Sequence, residues 1–178
     1  MARRQPLPAI WLVSDARNDA ALEAALDGLP AASGFVFRHY HLDEAGRKRR
    51  YDGLLRLCRN RGHRMILAGD AELAAAWCAD GIYAPPGGLG EGAGLLRLAT
   101  VHDAAEVALA DRAGADGMFL SPVFPTRSHP GAACLGAEGF HALAAQANSP
   151  VIALGGMDPA RAAELGWPRW AGIDAFLR

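Results

Sequence analysis

Short runs of apolar, β-branched and aromatic residues alternate along this chain with longer Ala- and Leu-rich stretches whose apolar positions recur every three to four residues. The short runs, bounded by Gly, Pro, Asp or Ser, fit buried strands, and the longer stretches fit helices packed on a sheet. The pattern predicts eight strands, at 9–14, 34–40, 64–68, 81–84, 95–100, 117–121, 151–154 and 170–173, and six helices, at 19–29, 43–61, 71–79, 103–113, 136–146 and 159–165. Strands that alternate with helices in this way belong to βα units on a parallel sheet.

Two helices are missing from a complete set of eight. Between the fourth and fifth strands the chain reads Ala-Pro-Pro-Gly-Gly-Leu-Gly-Glu-Gly-Ala-Gly, a loop composition that cannot hold a crossover helix. After the eighth strand only residues 174–178 remain. The expectation is a single α/β domain over 1–178, a compressed (β/α)8 TIM barrel with helix 4 lost and helix 8 truncated, since such barrels usually exceed about 200 residues. An open doubly wound sheet is the alternative. Trp167 and Trp170, with Pro168 between them, either plug the bottom of the barrel or meet a second copy of the chain, which leaves a homo-oligomer open.

Composition narrows the partner. The 178 residues are 51% hydrophobic, and 18 Lys and Arg face 19 Asp and Glu for a net charge of −1. That balance excludes a disordered chain and gives no pull toward nucleic acid or an anionic membrane. The tetrad Arg47-Lys48-Arg49-Arg50 sits in a helical stretch flanked by Asp43, Glu44 and Asp52, so it reads as a solvated helix face. No apolar run reaches the 18 to 20 or so residues of a membrane span, and residues 1–6 lead into the first strand without a signal-peptide core, so the expected location is cytoplasmic. Cys58, Cys78 and Cys134 are odd in number and lack CxxC spacing, which argues against disulfide and zinc roles. A small molecule is the expected partner.

Two loops carry candidate chemistry. Segment 114–132 reads Gly-Ala-Asp-Gly-Met-Phe-Leu-Ser-Pro-Val-Phe-Pro-Thr-Arg-Ser-His-Pro-Gly-Ala: a strand ending at Ser121 opens into a loop with three prolines, which hold Thr126, Arg127, Ser128 and His129 in few directions. A polar loop at the C-terminal end of a strand is where a barrel binds its ligand, although a stiff surface connection has the same composition. In segment 150–159 a buried strand runs into Gly155-Gly156, then Asp158 and Pro159 at a helix start. Paired glycines let a phosphate approach backbone N–H groups and a helix N-terminus, and a tight βα turn also uses them.

These segments resemble the thiamine phosphate synthase/TenI family. The sixth strand and loop of that family read Gly-Ala-Asp-Tyr-x-x-x-Gly-Pro-x-Phe-Pro-Thr-x-Thr-Lys. Leu98-Ala99-Thr100-Val101-His102 is similar to its Gly-x-Ser-x-His, Ala153-Leu154-Gly155-Gly156 to its Ala-Ile-Gly-Gly, and Trp11-Leu12-Val13-Ser14-Asp15 to its Leu-Val-Thr-Asp; Ala79-Asp80-Gly81-Ile82-Tyr83 resembles Ala-Asp-Gly-Val-His. The resemblance covers about residues 10–157 in order. It implies a (β/α)8 barrel that either joins an aminopyrimidine diphosphate to a thiazole phosphate with Mg²⁺, or, in TenI-type members, isomerises a thiazole by proton transfer.

Residue by residue, the resemblance places the thiazole phosphate on Thr126, Ser128, Gly155 and Gly156, with His129 where the family has Lys. It puts Arg38 at the family's pyrophosphate-contacting Arg, Thr100 at its Ser, and His102 at the TenI acid or base. The alternative for His102 is a residue that begins the next helix and packs. Departures gather on the metal side. Ala68-Gly69 stand where the third strand ends in Asn-Asp, with Asp70 one position late. Pro85, Pro86, Gly87 and Gly88 replace Gly-Gln-x-Asp, and His39-Tyr40 replace Glu-Lys. Mg²⁺ needs hard oxygen ligands, so no metal site is expected; Asp70 or Glu91 would have to serve, and Mg²⁺ is a cofactor only if synthase activity is retained. Near the eighth strand Asp174 stands where an anion would be repelled. The expectations are therefore a TenI-like thiazole phosphate isomerase, or a synthase with replaced carboxylates, or a non-catalytic relative that senses a ligand or binds a partner.

Overall fold

Each strand hydrogen-bonds in parallel to the next, and the eighth returns to the first. The computed structural model describes residues 6–92, 94–128 and 130–177. The strands are β1 (Ile10–Val13), β2 (Gly34–Phe37), β3 (Arg64–Ala68), β4 (Gly81–Ala84), β5 (Leu96–Val101), β6 (Gly117–Leu120), β7 (Val151–Leu154) and β8 (Trp170–Gly172). Closure excludes the open sheet, which would leave two edge strands unpaired. Outside the barrel lie α1 (Leu22–Gly28), entered through a 3₁₀ turn at Asp19–Ala21, then α2 (Glu44–Arg61), α3 (Ala71–Ala76), α4 (Ala104–Arg112), α5 (Gly136–Ala144) and α6 (Pro159–Leu165). One 3₁₀ turn, Pro86–Gly88, stands between β4 and β5, and no α-helix follows β8 among the described residues. None of the helices is long and apolar enough to cross a membrane.

Two elements end three residues earlier than the sequence pattern predicts. β2 stops at Phe37 rather than 40 because His39 takes a φ of 45°, and α3 stops at Ala76 rather than 79, with Cys78 at 57°. Neither angle fits a strand or a right-handed helix.

Alternate strand residues face alternate sides. Trp11, Val36, Ile66, Tyr83, Leu98, Phe119 and Ile152 fill the barrel, while Phe35, Phe37, Met65, Leu67, Met118 and Trp170 pack outward against the helices. The barrel floor belongs to Trp11. A Cβ at Gly34 would lie 2.1 Å from its ring, and its Nε1 donates to the Pro8 carbonyl at 2.9 Å. Leu7 closes the floor beside it, within 2.5 Å of where a Cβ at Gly117 would stand. Trp170 and Trp167 are therefore not the plug: Trp170 stacks on Phe176, and Trp167 lies edge-on to Phe140 and donates to the Val151 carbonyl.

The basic tetrad is also not a uniformly solvated face. Tyr51, Leu54 and Cys58 form the buried stripe of α2, and Arg47 lies one turn before Tyr51 on the same side. Arg47 Nε donates to the Arg38 carbonyl at 2.9 Å and its Nη2 to the Ala68 carbonyl at 2.6 Å, with the guanidinium over Phe37, Tyr40 and Trp77. Arg50 pairs with Asp19 and Glu23. Lys48 pairs with Asp52 at 2.6 Å on the outer side, and Arg49 is exposed.

Candidate functional site

The C-terminal strand ends carry a cavity of about 680 Å³. Inward parity brings Tyr83 from β4 and Thr100 from β5 to it; Ser121 follows β6, Leu154 ends β7 and Ile173 follows β8. Burial pushes the Tyr83 hydroxyl up to about 12, so it stays a neutral hydrogen-bonding group, held edge-on against Phe119.

The β6 and β7 loops form one wall. Val123 N–H donates to the Leu154 carbonyl at 2.9 Å and Phe124 N–H to the Gly155 carbonyl at 3.1 Å. This approach is what requires the two glycines: Gly155 has φ 98°, and a Cβ there would lie 2.7 Å from Pro122 Cα, while Gly156 has φ 62°, and its Cβ would lie 2.5 Å from the Pro125 carbonyl oxygen. Their own N–H groups are not used in the bonds that join the loops. Thr126 and Ser128 line the same wall, where the Ser128 N–H donates to Thr126 Oγ1 at 3.2 Å and Arg17 donates to Ser128 Oγ at 3.2 Å. His129 lies outside the described residues.

The cavity is richer in cations than in anions. Arg17, Arg38, Arg127 and Arg161 line it, against Asp158 and Asp174. Arg38 donates from Nε to the Ser14 carbonyl and from Nη2 to Asp15, and Arg161 donates to the Gly156 carbonyl while lying over Phe124. Asp174 does not stand bare: Arg17 approaches it to 3.7 Å. Asp158 spends its carboxylate on the Arg161 N–H at 2.8 Å, so the start of α6 is already capped. The groups this cavity offers to an anion are hydroxyls and guanidinia more than a helix terminus.

His102 leaves β5 just before Asp103, the cap of α4. It does not pack: its side chain is 55% exposed and lines the cavity. Glu106, one helical turn on, accepts from the His102 N–H at 2.7 Å and meets Nδ1 at 2.8 Å. An ionised carboxylate only accepts, so Nδ1 carries a proton, and in the neutral tautomer that this bond selects Nε2 is the acceptor.

The opposite part of the rim is built differently. Asp70 is exposed and caps α3 by accepting from the Leu73 N–H at 2.8 Å; neither it nor the exposed Glu91 lines the cavity. Pro86–Gly88 form their turn where a second carboxylate would be needed, and the Arg47 guanidinium sits on the Ala68 carbonyl. This donor set does not fit Mg²⁺, which binds through carboxylate oxygens and substrate phosphates. His39 turns outward, its Nε2 2.8 Å from Asp19 Oδ1, and burial holds its pKa below the ordinary histidine range.

Of the residues singled out in the sequence, Arg38, Thr100, His102, Thr126, Ser128, Gly155 and Gly156 meet at one cavity, and Asp70 stays away. Sequence reasoning missed Arg17, Arg161, Tyr83 and Ser121. Tyr83 carried a signal, its inward parity two residues after Gly81; Arg17 carried none.

Residues 94–175 match the protein family described as thiamine monophosphate synthase. The chain is 34% identical over 172 residues to the thiamine-phosphate synthase of Chromobacterium violaceum, covering 92% of this chain and 80% of that protein. It is 30% identical over 162 residues to the thiamine biosynthesis bifunctional protein ThiED of Geobacter sulfurreducens, covering 83% of this chain but only 32% of that longer protein. A solved thiamine phosphate pyrophosphorylase from Pyrococcus furiosus shares the fold, with a TM-score of 0.78 at 23% identity over 95% of this chain and 86% of that one.

Proposed function

The chain belongs to the thiamine phosphate synthase/TenI family of thiamine biosynthesis, and we propose that within it this protein binds a thiazole phosphate and moves a proton on the thiazole without a divalent metal. One observation carries the reading: an exposed imidazole, oriented by Glu106, shares a cavity with the hydroxyls of Thr126 and Ser128 and with four arginines, while among the described residues no carboxylate pair stands at the β3 and β4 ends.

In this reading the phosphate accepts from Thr126, Ser128 and the N–H groups of Gly155 and Gly156, and Arg17 and Arg161 supply charge. Charge-assisted donors of this kind are about twice as strong as neutral ones. Tyr83, Thr100 and Ser121 present hydroxyls around the thiazole. His102 Nε2 takes a proton from one ring position, becomes an imidazolium stabilised by Glu106, and returns the proton at another. Histidine suits this work because its pKa lies near neutrality. The reaction then uses small phosphates of the cytoplasm.

The test is to titrate a thiazole phosphate into the protein with and without chelator and to follow isomerisation by NMR. The reading expects binding indifferent to chelator, and a His102→Ala variant that binds but turns over about 10²- to 10⁴-fold more slowly. Unchanged turnover in His102→Ala would remove His102 from the chemistry, and absence of binding would remove the ligand.

A second reading, an active synthase that couples an aminopyrimidine diphosphate to the thiazole phosphate, is favoured by the name of the Chromobacterium violaceum relative. It requires Asp70 or Glu91 to reach Mg²⁺, and Asp70 would have to leave the cap of α3. It expects strict Mg²⁺ dependence and loss of coupling in Asp70→Asn.

A further inference from the structure

One group of metal-ligating side chains has no part in the reading above. Asp19, His39 and His41 offer ligand atoms that all lie within 4.8 Å of one another, and none of the three lines the cavity. Asp19 comes from the turn after β1 and both histidines from the segment after β2, so two paired strands deliver them to the same outer edge of the rim.

His39 is held firmly. Its φ of 45° is uncommon outside glycine, and it turns the ring onto Phe37, with centroids 4.4 Å apart and planes 6° from parallel. The ring is fully buried, Nδ1 stands 2.8 Å from Ser14 Oγ, and Nε2 stands 2.8 Å from Asp19 Oδ1. A ligating histidine needs its other nitrogen fixed by an outer partner, and the Ser14 hydroxyl occupies that position.

A hydrogen-bonded network alone would explain His39, Asp19 and Arg50, whose Nε donates to Asp19 Oδ1 at 2.7 Å. It does not explain the rest. His41 is exposed, 5.1 Å from the His39 ring between centroids, and makes no hydrogen bond among the described residues. Asp19 Oδ2 likewise accepts from no described residue. Arg50 neutralises one of the two carboxylates it touches, Asp19 and Glu23, so one negative charge remains beside the two imidazoles. Two atoms 2.8 Å apart, each about 2.0 to 2.1 Å from an ion, subtend an angle near 90°, the cis angle of an octahedral site.

We propose that Asp19, His39 and His41 form a rim site for a borderline transition-metal dication such as Zn²⁺ or Co²⁺, with Ser14 orienting His39 and water completing the coordination. Two imidazoles and one carboxylate suit these ions and not Mg²⁺. The site is independent of the thiazole phosphate reading. Ser14 Oγ also accepts the Arg38 N–H at 2.7 Å, so a bound ion braces the strand end that presents Arg38 to the cavity.

The experiment titrates Co²⁺ into the chelator-stripped full chain carrying Cys78→Ser and Cys134→Ser, which removes the exposed thiols, and follows visible d–d absorption, then displacement by Zn²⁺. The expected result is one Co²⁺ per chain. His41→Ala, at an exposed position that leaves folding intact, and Asp19→Asn each weaken it at least tenfold, while Co²⁺ affinity in His102→Ala is unchanged. No stoichiometric binding, or binding that survives both His41→Ala and Asp19→Asn, would overturn the proposal.

Discussion

The two halves of the barrel rim begin from the same unit, a strand end that runs into a loop, and arrive at opposite chemistry. From β5 to β8 the loops lean on each other, Phe124 N–H to Gly155 carbonyl, and leave hydroxyls, N–H groups and guanidinia facing a cavity. Between β2 and β4 only Arg38 and Tyr83 reach that cavity, and the rest of the rim is spent within the chain: Arg47 occupies the Arg38 and Ala68 carbonyls, Asp70 caps a helix and His39 turns outward to Asp19. A strand end offers groups to the cavity only where its polar atoms face it unspent, so the same fold can open one part of the rim to a ligand in the cavity and close another.

The contrast can be broken from either side. The largest effect is expected at Gly155→Ala. Its φ of 98° and the 2.7 Å approach to Pro122 Cα oblige the β6 and β7 loops to part, at a cost of about 1–3 kcal/mol for the backbone alone, and thiazole phosphate binding should be lost; denaturant unfolding and calorimetry measure both. Arg47→Met leaves two rim carbonyls without their charged donor and should cost about 1–3 kcal/mol with ligand affinity within about threefold of wild type, as its guanidinium lies outside the cavity. If affinity fell with it, the Arg47 side of the rim would belong to the site together with Arg38 and Tyr83.

Smaller effects sharpen the comparison. Glu106→Gln should leave affinity unchanged and slow isomerisation about tenfold, with the loss in kcat rather than KM, because the orientation of His102 changes and not its presence. The pH dependence of stability reports the closed half. The folded pKa of His39 is depressed below the ordinary value of about 6.5 by burial, so its contribution is complete above that value and is lost as pH falls toward the folded value. Asp19 follows the same sign lower down: burial raises its pKa, but hydrogen bonds from His39 and Arg50 outweigh it and leave the carboxyl depressed. Urea midpoints should therefore be flat from pH 8 to 7 and fall on acidification through pH 6; a midpoint that rose over that interval would contradict a buried neutral His39.

Much of this architecture was legible in the sequence because strands buried on both faces must be apolar without interruption, and eight such runs with helical spacers allow few arrangements. The early ends of β2 and α3 were not legible, since nothing in the identities of His39 and Cys78 announces a positive φ. In the site, Thr126, Ser128, Gly155 and Gly156 could be read as a group because adjacent strands bring adjacent loops together. Arg17 could not: its bond to Ser128 spans 111 positions and exists only after β8 closes on β1. The basic tetrad misled because a charge run was read as a unit, whereas the helical period puts Arg47 on the stripe of Tyr51, Leu54 and Cys58.

The central claim is that the open half binds and the closed half cannot hold a metal-bound diphosphate. Its most direct test is to incubate the protein with aminopyrimidine diphosphate, thiazole phosphate and Mg²⁺ and to follow thiamine phosphate by chromatography against a control without protein. The account predicts no product above the control while thiazole phosphate still binds. Product that accumulates and is abolished by chelation would contradict it, and would mean that Asp70 or Glu91 reaches an ion at the rim after all.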